Sequence, residues 1–307
     1  MARRALSTIL GIFFLLFFFA STIARFVTDF WWFKALGFAQ IFLISFKAKI
    51  LLFGVATIIF FLFAYGNLLL AKRFRKSPFF MMKVGLLALL SLLVGWTTST
   101  GWFTILQYLH QVTFDLADPI FAKDVGFYVF TLPFLDMVWG FAFSMLLLTF
   151  IIILFEYAQA FIVSLFSQQQ VGVTLDGLQN IKGFWKGFKR VQLGHLTVLA
   201  AGILLLLAWK HFLLRFSIMF SETGVVFGAG YTDVNVFLPI LSILMIFAIV
   251  LAVLAFVWLF FLKRPRFRKH HLLAGAFGLY VLIAFFGTPL IGGVVQALIV
   301  SPNELNL

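Results

Sequence analysis

The sequence predicts an all-α membrane protein: a polytopic transmembrane helical bundle of about seven spans, with interfacial helices and a cap of outer loops. Two observations carry this. First, seven long stretches contain no Asp, Glu, Lys or Arg: Ala5–Ala24, Ile50–Ala71, Val84–Phe114, Met137–Phe155, Val191–Trp209, Val234–Leu262 and Leu272–Asn303. A helix rises about 1.5 Å per residue, so roughly 20 apolar residues cross a hydrocarbon core of about 30 Å. Second, the basic residues crowd into every second gap between these stretches. Composition agrees, with 64% hydrophobic residues and a mean hydropathy of +1.13. The chain is expected to form one transmembrane domain, residues 1–307, with spans near 5–24, 50–71, 84–102, 137–166, 191–214, 236–262 and 272–299.

Charge sets the expected orientation. With the N-terminus inside, the inner side receives Arg3, Arg4, the Lys72–Lys83 group, Lys182, Lys186, Lys189, Arg190 and the Lys263–Lys269 group, sixteen of the 23 basic residues. The outer side receives Arg25, Lys34, Lys47, Lys49, Lys123, Lys210 and Arg215. Cytoplasmic flanks carry the Lys/Arg excess, so the split favours a cytoplasmic N-terminus and, after seven crossings, an outer C-terminus. The net charge of +13 therefore calls for no nucleic acid. Lys72, Arg73, Arg75 and Lys76, and Lys263, Arg264, Arg266 and Arg268, are expected to attract anionic lipid head groups. Other expected partners are the bilayer itself, envelope proteins or a second copy of the chain. Zero cysteines exclude disulfides and thiolate chemistry.

Taken in order, the N-terminal run resembles a secretory signal but is long and lacks a small-x-small site, so an uncleaved first span is expected. Asp29-Phe30-Trp31-Trp32-Phe33-Lys34 follows Arg25, and the segment to Lys49 is expected to lie at the outer interface. Span 3 carries Trp96-Thr97-Thr98-Ser99-Thr100-Gly101-Trp102, a hydroxyl-rich packing face, with a polar pore wall as the alternative. Phe103–Phe114 is expected on the outer surface. Asp118-Pro119 looks like a helix start, with Asp as N-cap and Pro at the first helical position; Pro133 is expected to open span 4. Asp115, Asp118 and Asp124 lack the spacing of a calcium loop. Phe184–Arg190 mixes aromatic and basic residues as an interfacial helix does. Pro289 is expected to kink or end the helix of span 7.

Chemistry-bearing motifs are absent from the sequence. The five histidines show no H-x-x-x-H spacing, and no phosphate loop or serine elbow occurs, so no catalytic residue, metal or cofactor is expected. Ionisable groups near or inside the spans are the remaining leads, because a charge in lipid costs at least about 2.5–3.5 kcal/mol on insertion scales. Glu156 lies in the inner half of span 4; Asp136 and Lys210 lie at the outer boundary. Antiparallel packing of spans 4 and 5 should bring Asp136 and Lys210 to one depth, within about 4 Å of each other, the range at which such attraction matters; snorkelling of Lys210 to the head groups is the alternative.

Several motifs carry a resemblance. Asp118-Pro119-Ile120-Phe121, the run Asp124-Val125-Gly126-Phe127-Tyr128-Val129-Phe130-Thr131-Leu132-Pro133-Phe134, and Gly228-Ala229-Gly230-Tyr231-Thr232-Asp233-Val234-Asn235 resemble signatures of uncharacterised protein family 0182, large bacterial membrane proteins. Trp32-Phe33, Leu36-Gly37-Phe38 and Ser301-Pro302-Asn303-Glu304-Leu305 match as well. The resemblance implies seven spans in a bacterial plasma membrane and no established activity. Family members usually continue past the last motif into a large extracytoplasmic domain, so the chain looks like the membrane portion. The expected function is that of a membrane anchor and assembly platform for such a domain. The alternative is a transporter or conduit for a lipid, ion or envelope precursor, using Glu156 and the hydroxyl band of span 3.

Overall fold

The computed structural model describes residues 2–74, 79–168, 190–222, 227–261 and 270–303. The expected interfacial segment Phe184–Lys189, the basic residues Arg75, Lys76, Lys263, Arg264, Arg266 and Arg268, and Glu304-Leu305 of the last motif lie outside the described residues.

Helices α1 (Ala2–Ala35) and α2 (Ala39–Phe74) are joined by a tight turn and pack against each other beside it. Asp29–Lys49 is helical, but as the joined ends of these two helices and not as a separate surface helix. No helix breaker stands between Arg25 and Leu36, so nothing stops α1 there. The chain turns at Gly37, whose φ of 82° is a left-handed conformation that glycine adopts without a Cβ clash. Phe26, Phe30 and Phe33 of α1 interleave with Phe42 and Phe46 of α2, with centroids 4.7 Å apart for Phe26–Phe46.

Helix α3 (Phe80–Ser99) returns along α2. A Cβ on Gly95 would collide with the Thr57 side chain and the Phe53 carbonyl, so this contact depends on a small residue, as close helix pairs in membranes do. Helix α4 (Trp102–Leu109) follows as a short element. Lys49 Nζ lies 5.1 Å above the Trp102 ring, and Tyr108 stacks on Phe134 at 3.9 Å. A loop leads through a π-helical turn, Phe127–Thr131, into α5 (Leu132–Gln168). Then come α6 (Arg190–Ser217), a 3-10 turn (Ile218–Phe220), a second π turn (Asp233–Phe237) and α7 (Leu238–Phe261). The last span is α8 (His270–Leu282), a π turn (Ile283–Gly287), α9 (Thr288–Val295), a π turn (Gln296–Val300) and a 3-10 turn.

Among the described residues, six helical stretches are long and apolar enough to cross a membrane: Ala39–Arg73, Phe80–Ser99, Phe127–Gln159, Arg190–Phe220, Asp233–Leu259 and Gly275–Asn303. The remaining apolar run, Ala5–Ala24, sits within α1, which gives about seven. Pro133 does not open span 4: the helix is already under way at Val125. Nor does Pro289 end the last span, which continues to Asn303.

Unlike a water-soluble bundle, the helices are apolar on the outside as well as within. Ile58, Ile59 and Leu62 of α2 face outward, while the α2 face turned inward carries Phe60, Ala64 and Leu68. One core joins α2, α3, α5 and α6 around Phe60, Leu87, Ile153 and Leu199. A second joins α6, α7 and α8 around Ala201, Leu244, Ala248 and Tyr280. Helix α6 belongs to both and holds the halves together. We call the end bearing Lys72, Lys83 and Arg190 the basic end, and the end bearing α4 and the Asp118 loop the capped end.

Candidate functional site: paired charges at the two ends of the bundle

At the capped end, Lys210 on α6 donates to Asp136 Oδ1 on α5 at 2.6 Å. The pairing expected from antiparallel packing is present, and the ammonium also lies 4.8 Å over the Trp139 ring. The Trp139 indole N–H donates to the Leu206 carbonyl at 2.7 Å, which fixes the ring under the lysine. The Asp136 side chain keeps 46% of its surface exposed, so this pair sits at a boundary and not in the core. One residue on, His211 Nε2 and Tyr280 Oη lie 2.8 Å apart and tie α6 to α8.

At the basic end, Lys83 on α3 donates to Glu156 Oε2 on α5 at 2.5 Å and to Gln159 Oε1 at 3.2 Å. Gln159 Nε2 donates to the same Glu156 oxygen at 3.2 Å. Glu156 is buried, its side chain 3% exposed, and its other oxygen, Oε1, accepts no hydrogen bond. A second polar link lies beside it. Asn67 Nδ2 donates to the Phe63 carbonyl at 2.8 Å, which aims Asn67 Oδ1 at His195 Nε2, 2.9 Å away. An amide oxygen only accepts, so Nε2 carries the proton. His195 Nδ1 then meets Tyr157 Oη at 2.8 Å. Four helices, α2, α3, α5 and α6, are thus laced together at one depth.

The loop before α5 is held by two aspartates. Asp118 accepts from Ile120 N at 2.9 Å, Phe121 N at 2.6 Å, Lys123 N at 2.8 Å and Tyr128 Oη at 2.8 Å. Burial alone would raise its carboxyl, but the four hydrogen bonds together hold it below the usual carboxylate value. Asp118 is nevertheless not the helix N-cap expected from Asp118-Pro119. The turn after it closes at Ala122, which takes a φ of 52°. Asp124 caps instead: its Oδ1 accepts from Gly126 N at 2.7 Å as the helix starts. It also accepts from Phe114 N, a hydrogen bond that leads the lowering of its carboxyl.

Both motif-rich segments are packed at the capped end, through a common neighbour. Phe121 and Phe127 meet Phe216 of α6 at 4.9 and 5.0 Å, and Tyr128 meets Phe220 at 6.1 Å. The Asp233–Phe237 turn adjoins Ile218–Phe220 and α9. Thr232 Oγ1 donates to Gln296 Oε1 at 2.6 Å, and a Cβ on Gly292 would strike the Phe237 ring.

The three expected residues therefore fall in two places: Asp136 and Lys210 together, Glu156 at the other end. In the sequence Lys83 stands among flanking charges, and Asn67, Tyr157, His195 and Tyr280 belong to no motif. The usable signal was uncharged polar groups inside charge-free runs. The hydroxyl band turns inward on its own helix: Thr97 and Thr98 donate to Val94 O, Ser99 to Trp96 O and Thr100 to Thr97 O. Among the described residues no three His, Cys, Asp or Glu side chains gather to hold a metal. A crevice of about 230 Å³ between α5, α6 and α7 is walled almost wholly by apolar side chains.

Comparison with known proteins fits this picture. The profile of the uncharacterised protein family UPF0182 matches residues 6–307. A UPF0182 protein of Methanospirillum hungatei is 30% identical over 92% of the chain and 31% of its own length. One of Trichodesmium erythraeum is 29% identical over 98% of the chain and 32% of its own length. One of Synechococcus sp. is 34% identical over 70% of the chain and 25% of its own length. The chain thus spans about a third or less of the length of these relatives. No solved structure matches it significantly. The chain belongs to the uncharacterised protein family UPF0182, and within it is an integral membrane protein of unknown activity.

Proposed function

We propose that this region is a membrane anchor and assembly platform for an extracytoplasmic domain, in the plasma membrane, with its N-terminus cytoplasmic and its C-terminus outside. The observation that carries the reading is the local closure of its charges. Lys210 meets Asp136 across the packed pair α5 and α6, and Lys83 reaches from α3 to Glu156 on α5, two helices that both pack on α2. Such pairs hold helices in register and offer no continuous path. Glu156 and the Thr97–Thr100 band also stand apart: on α3, Lys83 and Thr97 are fourteen residues from each other, about 21 Å of rise. The length of the relatives supports the platform role, because most of each lies outside the matched region. The basic residues Lys72 and Arg73, both exposed, suit contact with anionic lipid. The reading assigns no catalytic chemistry.

One observation favours a conduit instead: Glu156 Oε1 and Thr149 Oγ1, both buried and on one face of α5, have no hydrogen-bond partner. Reconstitution separates the readings. Proteoliposomes should leak protons and monovalent ions no faster than protein-free vesicles, while the protein resists alkaline extraction. Flux above that background, lost in Glu156→Gln, would establish the conduit. Reporter fusions test the orientation: those after Lys76, Arg190 and Lys269 should read cytoplasmic and one after Asp233 external, and an external signal from the Lys263–Lys269 loop overturns it.

A further inference from the structure

We propose that the crevice between α5, α6 and α7 binds one acyl chain of an anionic phospholipid, whose phosphate is held by Arg190. The walls select an apolar guest. Leu154 of α5, Leu193, Leu196 and Ala200 of α6 and Trp258 of α7 line the crevice. The one hydroxyl in the wall, Thr197 Oγ1, donates to the Leu193 carbonyl at 2.8 Å. A water molecule needs two to four polar partners, and apolar cavities of this size stay dry and take apolar molecules. The crevice belongs to spans that face lipid, so the apolar molecule at hand is an acyl chain.

Position supplies the head group. Along α6 the lining runs from Leu193 to Ala200, about 10 Å of rise. Arg190, Leu193, Thr197 and Ala200 follow the three-and-four spacing of a single helix face. Arg190 therefore stands one turn beyond the crevice, at the basic end of that face. It is exposed, and neither ion pair among the described residues involves it. A guanidinium matches phosphate with two parallel hydrogen bonds. Charge above and an apolar slot below fit a phospholipid and no smaller anion.

Native mass spectrometry of the detergent-solubilised chain, with phosphatidylglycerol or phosphatidylcholine added, tests this. The wild type should retain one phosphatidylglycerol in preference to phosphatidylcholine. Arg190→Gln should weaken that retention about fivefold, the equivalent of about 1 kcal/mol per basic residue at an anionic surface. Ala200→Trp should abolish it by filling the slot, with Ala200→Leu as the gentler variant where the larger ring lowers the unfolding midpoint. Independently, phosphatidylglycerol brominated in mid-chain should quench the fluorescence of the wild type more than that of Trp258→Phe. Undiminished retention in both Arg190→Gln and the Ala200 variants overturns the proposal, as does equal quenching of wild type and Trp258→Phe. Equal retention of glycerophosphate, which has no chain, also overturns it.

Discussion

Replacing Lys83 with Met should strand Glu156. The carboxylate is 3% exposed and bonds Lys83 Nζ at 2.5 Å. Without the ammonium, Oε2 keeps only the Gln159 amide at 3.2 Å, and Oε1 still has no partner. Breaking a buried pair from one side costs about 3–5 kcal/mol, whereas replacing both partners by apolar groups of similar size is often neutral. The double variant Lys83→Met, Glu156→Leu should therefore be more stable than Lys83→Met alone by about 2 kcal/mol or more. Glu156→Leu alone should cost less than Lys83→Met. Its orphan is a lysine that is 18% exposed, whose stem can carry the charge outward. Reversible unfolding in mixed micelles, followed by tryptophan fluorescence, measures all four corners of the cycle. A double variant whose loss equals the sum of the single losses would mean zero coupling and refute the reasoning.

The Asp136–Lys210 pair has nearly the same length but far more exposure, so the same cycle on Lys210→Met and Asp136→Leu should return about 1 kcal/mol or less; a coupling as large as that of Lys83–Glu156 would contradict the weight given to burial. Gly126→Ala should loosen the loop before α5 by about 1–3 kcal/mol, because the added Cβ would stand 2.6 Å from the Val112 carbonyl oxygen and 2.8 Å from Asp124 Oδ1; unchanged hydrogen exchange over residues 112–126 would show that the loop can yield. Asp118 is lowered in the folded protein, so its contribution is full above the unfolded carboxylate value of about 3.9 and is lost as the pH falls through the lower folded value. Limited proteolysis of the loop should accelerate only in that acid range, and Asp118→Asn should make it faster at neutral pH and shrink the acid step to the part that Asp124, also lowered, contributes.

Much of the architecture is legible from the chain because the bilayer imposes it. Charge-free runs of fixed minimum length have one outcome in lipid, a helix, and six of the expected runs coincide with spans in the structure. The Asp136–Lys210 contact follows from the same logic, since consecutive antiparallel helices bring their facing ends to one depth. The partner of Glu156 was less accessible. Lys83 is 73 residues away, and nothing local marks it as different from the basic residues before it. What decides is that α3 begins at Phe80, earlier than the apolar run, so Lys83 is already inside the helix and faces α5. The Asn67–His195–Tyr157 link is harder still, since it unites α2, α5 and α6 through groups that are individually unremarkable in a membrane helix.

The prolines show how a membrane helix runs on where a soluble one commonly stops. In a soluble helix a proline removes one hydrogen bond and presses on the carbonyl four residues back, so the helix commonly stops. Inside a bilayer, stopping would leave backbone groups without partners, at several kcal/mol each. The described spans resolve this in one way. Pro133, Pro239, Pro289 and Pro302 each follow a five-residue π turn by two positions, and in every case the residue four back, Val129, Asn235, Phe285 or Leu298, is the centre of that turn. The residue just before three of these prolines reaches back five positions: Leu132 N–H to Phe127, Leu238 to Asp233 and Ser301 to Gln296. Widening the turn makes room where the proline ring would press and keeps the helix running. It also inserts one residue into the winding, which rotates everything beyond it by about 100° relative to an unbroken helix. A helical face traced through Leu132 or Leu238 from sequence spacing alone therefore points the wrong way past the proline. Both of these turns lie in motif-bearing segments at the capped end, so they also set which side chains of α5 and α7 face α6 below it.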